Sequence, residues 1–190
     1  MLHSYQKGGD IMDVFKAIQV RREITKFEVS KPIPEDVLEK VIDAGVFAPT
    51  GNNLPSKNLI VVQDRDMLDQ LADTTPYMKW LKEAQAGIVV TGKPSVSKYW
   101  LQDASFACAF IWLEAIEVGL GSAFGAVYHS EDEEESQMRE GYVSNLINIP
   151  EEQRIVAVLG LGYPAMTPDP KKHVPREEVV FYEKFGKSSK

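Results

Sequence analysis

Apolar residues recur along this chain at two different spacings, and the spacing sorts the elements. Ile11, Val14, Phe15 and Ile18 recur at helical intervals, which predicts a helix over 11–21 with one side buried. "IPEDVLEKVIDAGVFAP" predicts a second helix starting near Pro34, a residue suited to a first turn. Its Val37, Leu38, Val41 and Ile42 share one face. "NLIVV" (58–62) and "GIVVTG" (87–92) are short and β-branched, so they read as buried strands. A helix over 65–73 and a short one over 77–82 lie between them. Residues 99–118 are apolar on nearly every side, which places that helix centrally or in a subunit interface. "GSAFGAVY" reads as a turn leading into a strand. Ser130 and Glu133 form a capping box that opens a helix to about Leu146, with the acids of 131–135 at its positive end. "RIVAVLGLGYP" (154–164) is a strong last strand, and "PREEVVFYEKFGK" is a polar, partly helical tail. Strands separated by helices give an α+β or α/β domain with one small sheet.

Composition narrows the function classes. The chain has 190 residues, 44% of them hydrophobic, enough for one compact domain or for one that completes its core by dimerising. The expected organisation is a flexible polar leader over 1–11 and a single domain over 12–187, with Met12 a candidate start. A formal charge of -7 argues against nucleic acid and anionic membranes as partners. No run of about 18 apolar residues predicts a membrane span, and the first residues lack the apolar core of a signal peptide. Cys108, the one cysteine, sits in an apolar run and reads as a buried thiol. His3, His129 and His173 are far apart, so no metal site is expected. Cytoplasm is the expected compartment.

Three polar segments beside apolar elements are the candidates for chemistry. Arg21-Arg22-Glu23-Ile24-Thr25 places two guanidiniums at a helix end. They read either as favourable charge on that end or as forks for phosphate oxygens. "APTGNNLPS" (48–56) is either a plain loop or an irregular backbone that offers N–H groups, with Asn53 both donor and acceptor. "PDPKKHVP" (168–175) adds Lys172 and His173. A phosphate at one end and a planar polar ring at the other describe a mononucleotide such as FMN. "GLGSAFG" is close to a dinucleotide fingerprint, but it follows a helix rather than a strand.

The order of these segments resembles the nitroreductase family of FMN-dependent oxidoreductases over about residues 12–187. "RREITKF" is similar to the family's early motif at Arg21, Arg22 and Phe27, and departs at Glu23 and Thr25, where Ser and a base are usual. "APTGNNLPSKNLIVV" matches at Ala48, Pro49, Thr50 and Asn53, with Pro55, Ser56 and Lys57 replacing Gln, Pro and Trp. "LQDASFACAFIWLEAIEVGLGSAFGAVY" looks like the family's central helix and flavin-contacting turn. The resemblance implies an α+β fold with a small, mostly antiparallel sheet flanked by helices, in an intertwined homodimer. FMN would lie at the subunit interface. Arg21, Arg22, Glu23, Thr25, Pro49, Thr50, Gly51, Asn53, Phe124, Gly125, Ala126, Lys172 and His173 are the implied cofactor-binding residues. NADH or NADPH would reduce the flavin, leave, and be replaced by a nitroaromatic, quinone or similar acceptor, a ping-pong cycle that nominates no catalytic residue. The alternative is an FMN store or redox sensor of the same fold. Lys26 or Lys57 is the candidate for the charge missing at Thr25.

Overall fold

The computed structural model describes residues 13–129 and 131–187. The leader over 1–11, Met12 and Ser130 lie outside them. Helix α1 (Val14–Val20) is capped by Asp13, whose carboxylate accepts from the Lys16 N–H at 2.7 Å. α2 (Glu35–Phe47) starts with Pro34 as its cap. β1 (Lys57–Val62), α3 (Arg65–Leu71), β2 (Ala86–Gly92), α4 (Trp100–Glu117), β3 (Gly121–Ala126), α5 (Glu133–Ile147), β4 (Arg154–Gly162) and α6 (Arg176–Val179) follow. Short 3₁₀ turns occupy Gly51–Asn53 and Pro76–Lys82.

The four strands form one antiparallel sheet in the order β1-β2-β4-β3. Its centre is covered on both faces, so β2 is buried at every position. Alternate residues serve opposite faces. Val89 packs with Leu68, Leu71, Leu81 and Val143, from the α3 and α5 side. Ile88 and Val90 pack with Val41, Ala107 and Ile111, from α2 and α4. The register shifts where Val90 faces Ala157 but Thr91 faces Ile155, leaving Val156 as an extra residue. That bulge returns Ile155 to the face that Val158 also fills. Gly160 leaves the space where the Trp80 ring packs.

Three expectations need correction. The apolar side of α1 is not buried within the chain: only Ala17 is, while Val14, Phe15 and Ile18 are exposed. α4, by contrast, is apolar on two sides, in line with its sequence pattern. Ala104, Ala107, Cys108 and Ile111 face the sheet, and Phe106 and Phe110 face outward. The amphipathic pattern encodes burial without saying against what. The cap of α5 is Asp132, which accepts from the Glu135 N–H at 2.8 Å, and the helix begins at Glu133 rather than around a Ser130 box. An aspartate serves that role as well as serine, so the pattern allowed both. Phe124, Gly125 and Ala126 lie in β3 itself, paired to Leu159, Val158 and Ala157, not in a turn. Gly and Ala at these places suggested a turn, but pairing with β4 decided the matter.

Candidate functional site

After α1 the chain does not leave the sheet. The Arg21 N–H closes the helix on Ala17, and the next residues run beside β3 and the end of β4. The Ile24 N–H donates to Ser122 O at 3.0 Å, and the Glu28 N–H to Tyr163 O at 2.9 Å. Ile24 and Phe27 turn into the core. Glu23 and Thr25 are thereby left on the opposite side, where they line a cavity of about 260 Å³ together with Phe124, Gly125 and Ala126. Tyr77, Met78 and Trp80 supply an aromatic and thioether wall. The Glu23 carboxylate accepts from the Phe124 N–H at 3.3 Å, and Thr25 Oγ1 lies 3.8 Å from Met166 Sδ.

The two arginines part company. Arg21 lies over the Trp112 ring at 4.4 Å, and Trp112 stacks on Phe124 with ring centres 6.1 Å apart and planes 5° apart. This stack links Arg21 to a residue of the cavity wall. Arg22 instead donates to the carbonyls of Gln19, Arg21 and Asp169. Its guanidinium ties the end of α1 to the 168–175 segment. Lys172 and His173 in that segment are exposed, and neither lines either cavity described here.

A second cavity, about 660 Å³, lies at the loop between α2 and β1. Pro49, Thr50 and Asn53 line it with Lys57, against an apolar wall that includes Ile42, Phe47 and Leu59. Asn52 and Asn53 both have left-handed backbones, with φ of 54° and 59°. Gly51 does not face the cavity. Its N–H donates to Asp103 Oδ1 at 2.8 Å, and Ser56 Oγ donates to Asp103 Oδ2 at 2.5 Å. Burial pushes the Asp103 carboxyl up. Hydrogen bonds from Ser56, Gly51 and Ser97, with the charge of Lys57, outweigh that and hold it below the usual carboxylate range. Burial lowers the Lys57 pKa, against the pull of Asp103. Lys57 Nζ donates to Ala48 O at 2.6 Å.

The structure therefore places Glu23, Thr25, Phe124, Gly125 and Ala126 around one cavity and Pro49, Thr50 and Asn53 around another, while Arg21, Arg22, Gly51, Lys172 and His173 line neither. Lys26 pairs with Glu83 at 2.9 Å and does not line the cavity beside Thr25. Lys57 lines the other cavity. The cation that lines the same cavity as Thr25 is Arg139 of α5, which pairs with Glu135 and donates to Ala126 O at 3.1 Å. Sequence reasoning missed Arg139, Trp112 and Asp103. Only Asp103 carried a signal, being the one acid between Tyr99 and Leu113 of an otherwise apolar helix.

The donor sets suit a flat heterocycle with polar edges. One cavity offers aromatic faces, strand backbone and a cation; the other offers amide groups of an irregular loop beside an apolar wall. Trp112 Nε1 and Ser122 Oγ are buried without hydrogen-bond partners among the described residues. At about 260 Å³ the first cavity falls below the range of about 300–1,000 Å³ usual for ligand pockets.

No protein-family model matches the chain. It is 35% identical over 160 residues to a protein of Methanothermobacter thermautotrophicus named "Putative NADH dehydrogenase/NAD(P)H nitroreductase", covering 83% of this chain and 80% of that one. A crystal structure from Bacteroides thetaiotaomicron under the same name superposes with a TM-score of 0.82 at 30% identity, over 90% of this chain and 98% of that one. An FMN-dependent nitroreductase from Clostridium difficile shares the fold, with a TM-score of 0.80 at 24% identity over 89% of this chain and 98% of that one. No described helix is long and apolar enough to cross a membrane.

Proposed function

Because the chain belongs to the nitroreductase family, we propose that it is an oxidoreductase that carries FMN and passes electrons from NADH or NADPH to nitroaromatic, quinone or similar small acceptors. Bound FMN would supply the hydride-accepting and electron-donating chemistry itself. The chain's residues bind and orient. Thr50 and Asn53 offer amide and hydroxyl partners for a ring edge, and Phe124 with Trp80 offers apolar surface. Arg139 would set positive charge near a ring that gains negative charge on reduction. The wall of Tyr77, Met78 and Trp80 would keep water from the acceptor face. Donor and acceptor would use that face in turn, as a ping-pong cycle requires.

The observation that carries this reading is the gathering of Glu23, Thr25, Phe124, Gly125 and Ala126 around one cavity, and of Pro49, Thr50 and Asn53 around another. Two part-sites on one chain support a homodimer in which each flavin draws on both copies. An apolar surface to be covered supports it as well: Phe15 of α1, Phe47 of α2, and Phe106 and Phe110 of α4 are all exposed. Such a protein would work in the cytoplasm, without nucleic acid or membrane partners.

The test is anaerobic titration of the purified yellow protein with NADH and then NADPH. Bleaching of the flavin band, and its return on adding a quinone, is the expected result. Colourless protein that refuses added FMN refutes the cofactor. A flavin that stays oxidised with both nucleotides favours storage or sensing.

A further inference from the structure

We propose that Asp103 is the positioning residue that holds the 50–56 loop in its ligand-binding shape, a reading that rests on the flavin assignment above. The loop needs such a device. Asn52 and Asn53 stand consecutively in the left-handed region, which costs any residue with a Cβ something, and asparagine least. Consecutive residues of this kind persist where the surroundings over-determine them. Here both flanks are held by one carboxylate. Asp103 Oδ1 takes the N–H of Gly51 before the pair, and Oδ2 takes the hydroxyl of Ser56 after it.

The anchor itself is rigid. Asp103 is 2% exposed and Ser56 fully buried, and Asp103 rides on α4, whose next turns carry the core residues Ala107 and Ile111. Ser56 O accepts from the Lys93 N–H at 2.7 Å, fixing the same end of the loop to the residue after β2. A Cβ at Gly51 would lie 2.7 Å from the Tyr99 ring, so the backbone there rests directly on that ring. Within the loop, Thr50 Oγ1 donates to Leu54 O at 2.8 Å and the Asn53 N–H donates to Thr50 O at 3.1 Å. Thr50 and Asn53 are thus presented to the cavity of about 660 Å³ by a clamp whose two arms are backbone and hydroxyl. A buried carboxylate whose two oxygens hold both ends of one loop, with Ser97 as a further donor, positions the ligand contacts while touching no ligand itself.

The experiment compares wild-type protein with Asp103→Ala, Asp103→Asn and Ser56→Ala, by hydrogen–deuterium exchange and by FMN titration of the deflavinated dimer. In Asp103→Ala the amides of 50–56 should exchange faster and FMN affinity should fall, each about tenfold, the loss expected for a charged acceptor. Amides of the second half of α4 should keep their protection. Asp103→Asn should recover most of both readouts, since its carbonyl still accepts from Gly51 and its amide can donate to a reversed Ser56 hydroxyl. Ser56→Ala should show a loop-confined rise of about threefold, having lost one arm of the clamp. If Asp103→Ala does not fold, Ser56→Ala decides: unchanged loop exchange with unchanged FMN affinity overturns the proposal. The same pair of results in a folded Asp103→Ala overturns it directly. Wild-type protein that takes up no FMN refutes the flavin assignment instead, and loop exchange alone then decides whether Asp103 is the clamp.

Discussion

Truncating Phe110 to alanine tests whether the outward face of α4 is the surface that completes the site. Phe110 is 40% exposed and lines a groove with Val14 and Ala17 of α1 and Ala44 of α2. Of the roughly 200 Å² a phenylalanine can bury, about 80 Å² is therefore left for a second copy to cover. At ~25 cal/mol per Å² this is worth about 2 kcal/mol per side chain. A twofold interface uses the residue twice, for about 4 kcal/mol in all. Since ~1.4 kcal/mol is a factor of ten in affinity, the full transfer would weaken the dimer about a thousandfold. Interfacial ordering costs trim that conversion, so the expected loss is about tenfold to a thousandfold. Sedimentation velocity over a dilution series, read at both the protein and the flavin band, measures it. The variant should become monomeric at concentrations where the parent is a dimer, and the monomer boundary should carry no flavin. A Phe110→Ala protein that sediments like the parent at every dilution refutes the placement of the interface. A flavin-loaded monomer refutes the shared site.

Two further predictions concern the core. Glu140 is 8% exposed and accepts from Arg154 Nε, Arg154 Nη2, Ser136 Oγ and the Ile155 N–H, joining α5 to β4. Glu140→Gln should cost about 2–3 kcal/mol in denaturant unfolding, less than a fully buried pair because Arg154 keeps some water; a change under about 0.5 kcal/mol, the size of an ordinary surface substitution, would show the network to be idle. Burial pushes the Cys108 thiol up to about 12. A thiol reagent at pH 8 should therefore label it at the rate of unfolding and quickly only in denaturant, and prompt labelling of native protein would contradict the burial.

Departures from the family pattern become legible once their neighbours are known. Ser56, where the resemblance implies Pro, supplies a hydroxyl to Asp103. Lys57, where Trp is implied, reaches back to Ala48 O and balances the Asp103 charge. Glu23, where Ser is implied, meets the Phe124 N–H. Each of these three residues has a partner at least 9 positions away in sequence. Spacing alone had no means of pairing them.

Local pattern was sufficient for the elements. Short β-branched runs specified β1, β2 and β4, and 3.6-residue periodicity specified α2, because those rules act between residues a few positions apart. The family, too, was readable from four short segments in order. Which faces remain uncovered, which acid caps α5, that 123–126 pairs as strand, and that Asp103 rather than any loop residue holds the 50–56 turn were decided by tertiary packing. These outcomes depend on contacts between segments far apart in the chain, and a carboxylate or a phenylalanine carries no mark in sequence of the distant backbone or second surface it will meet.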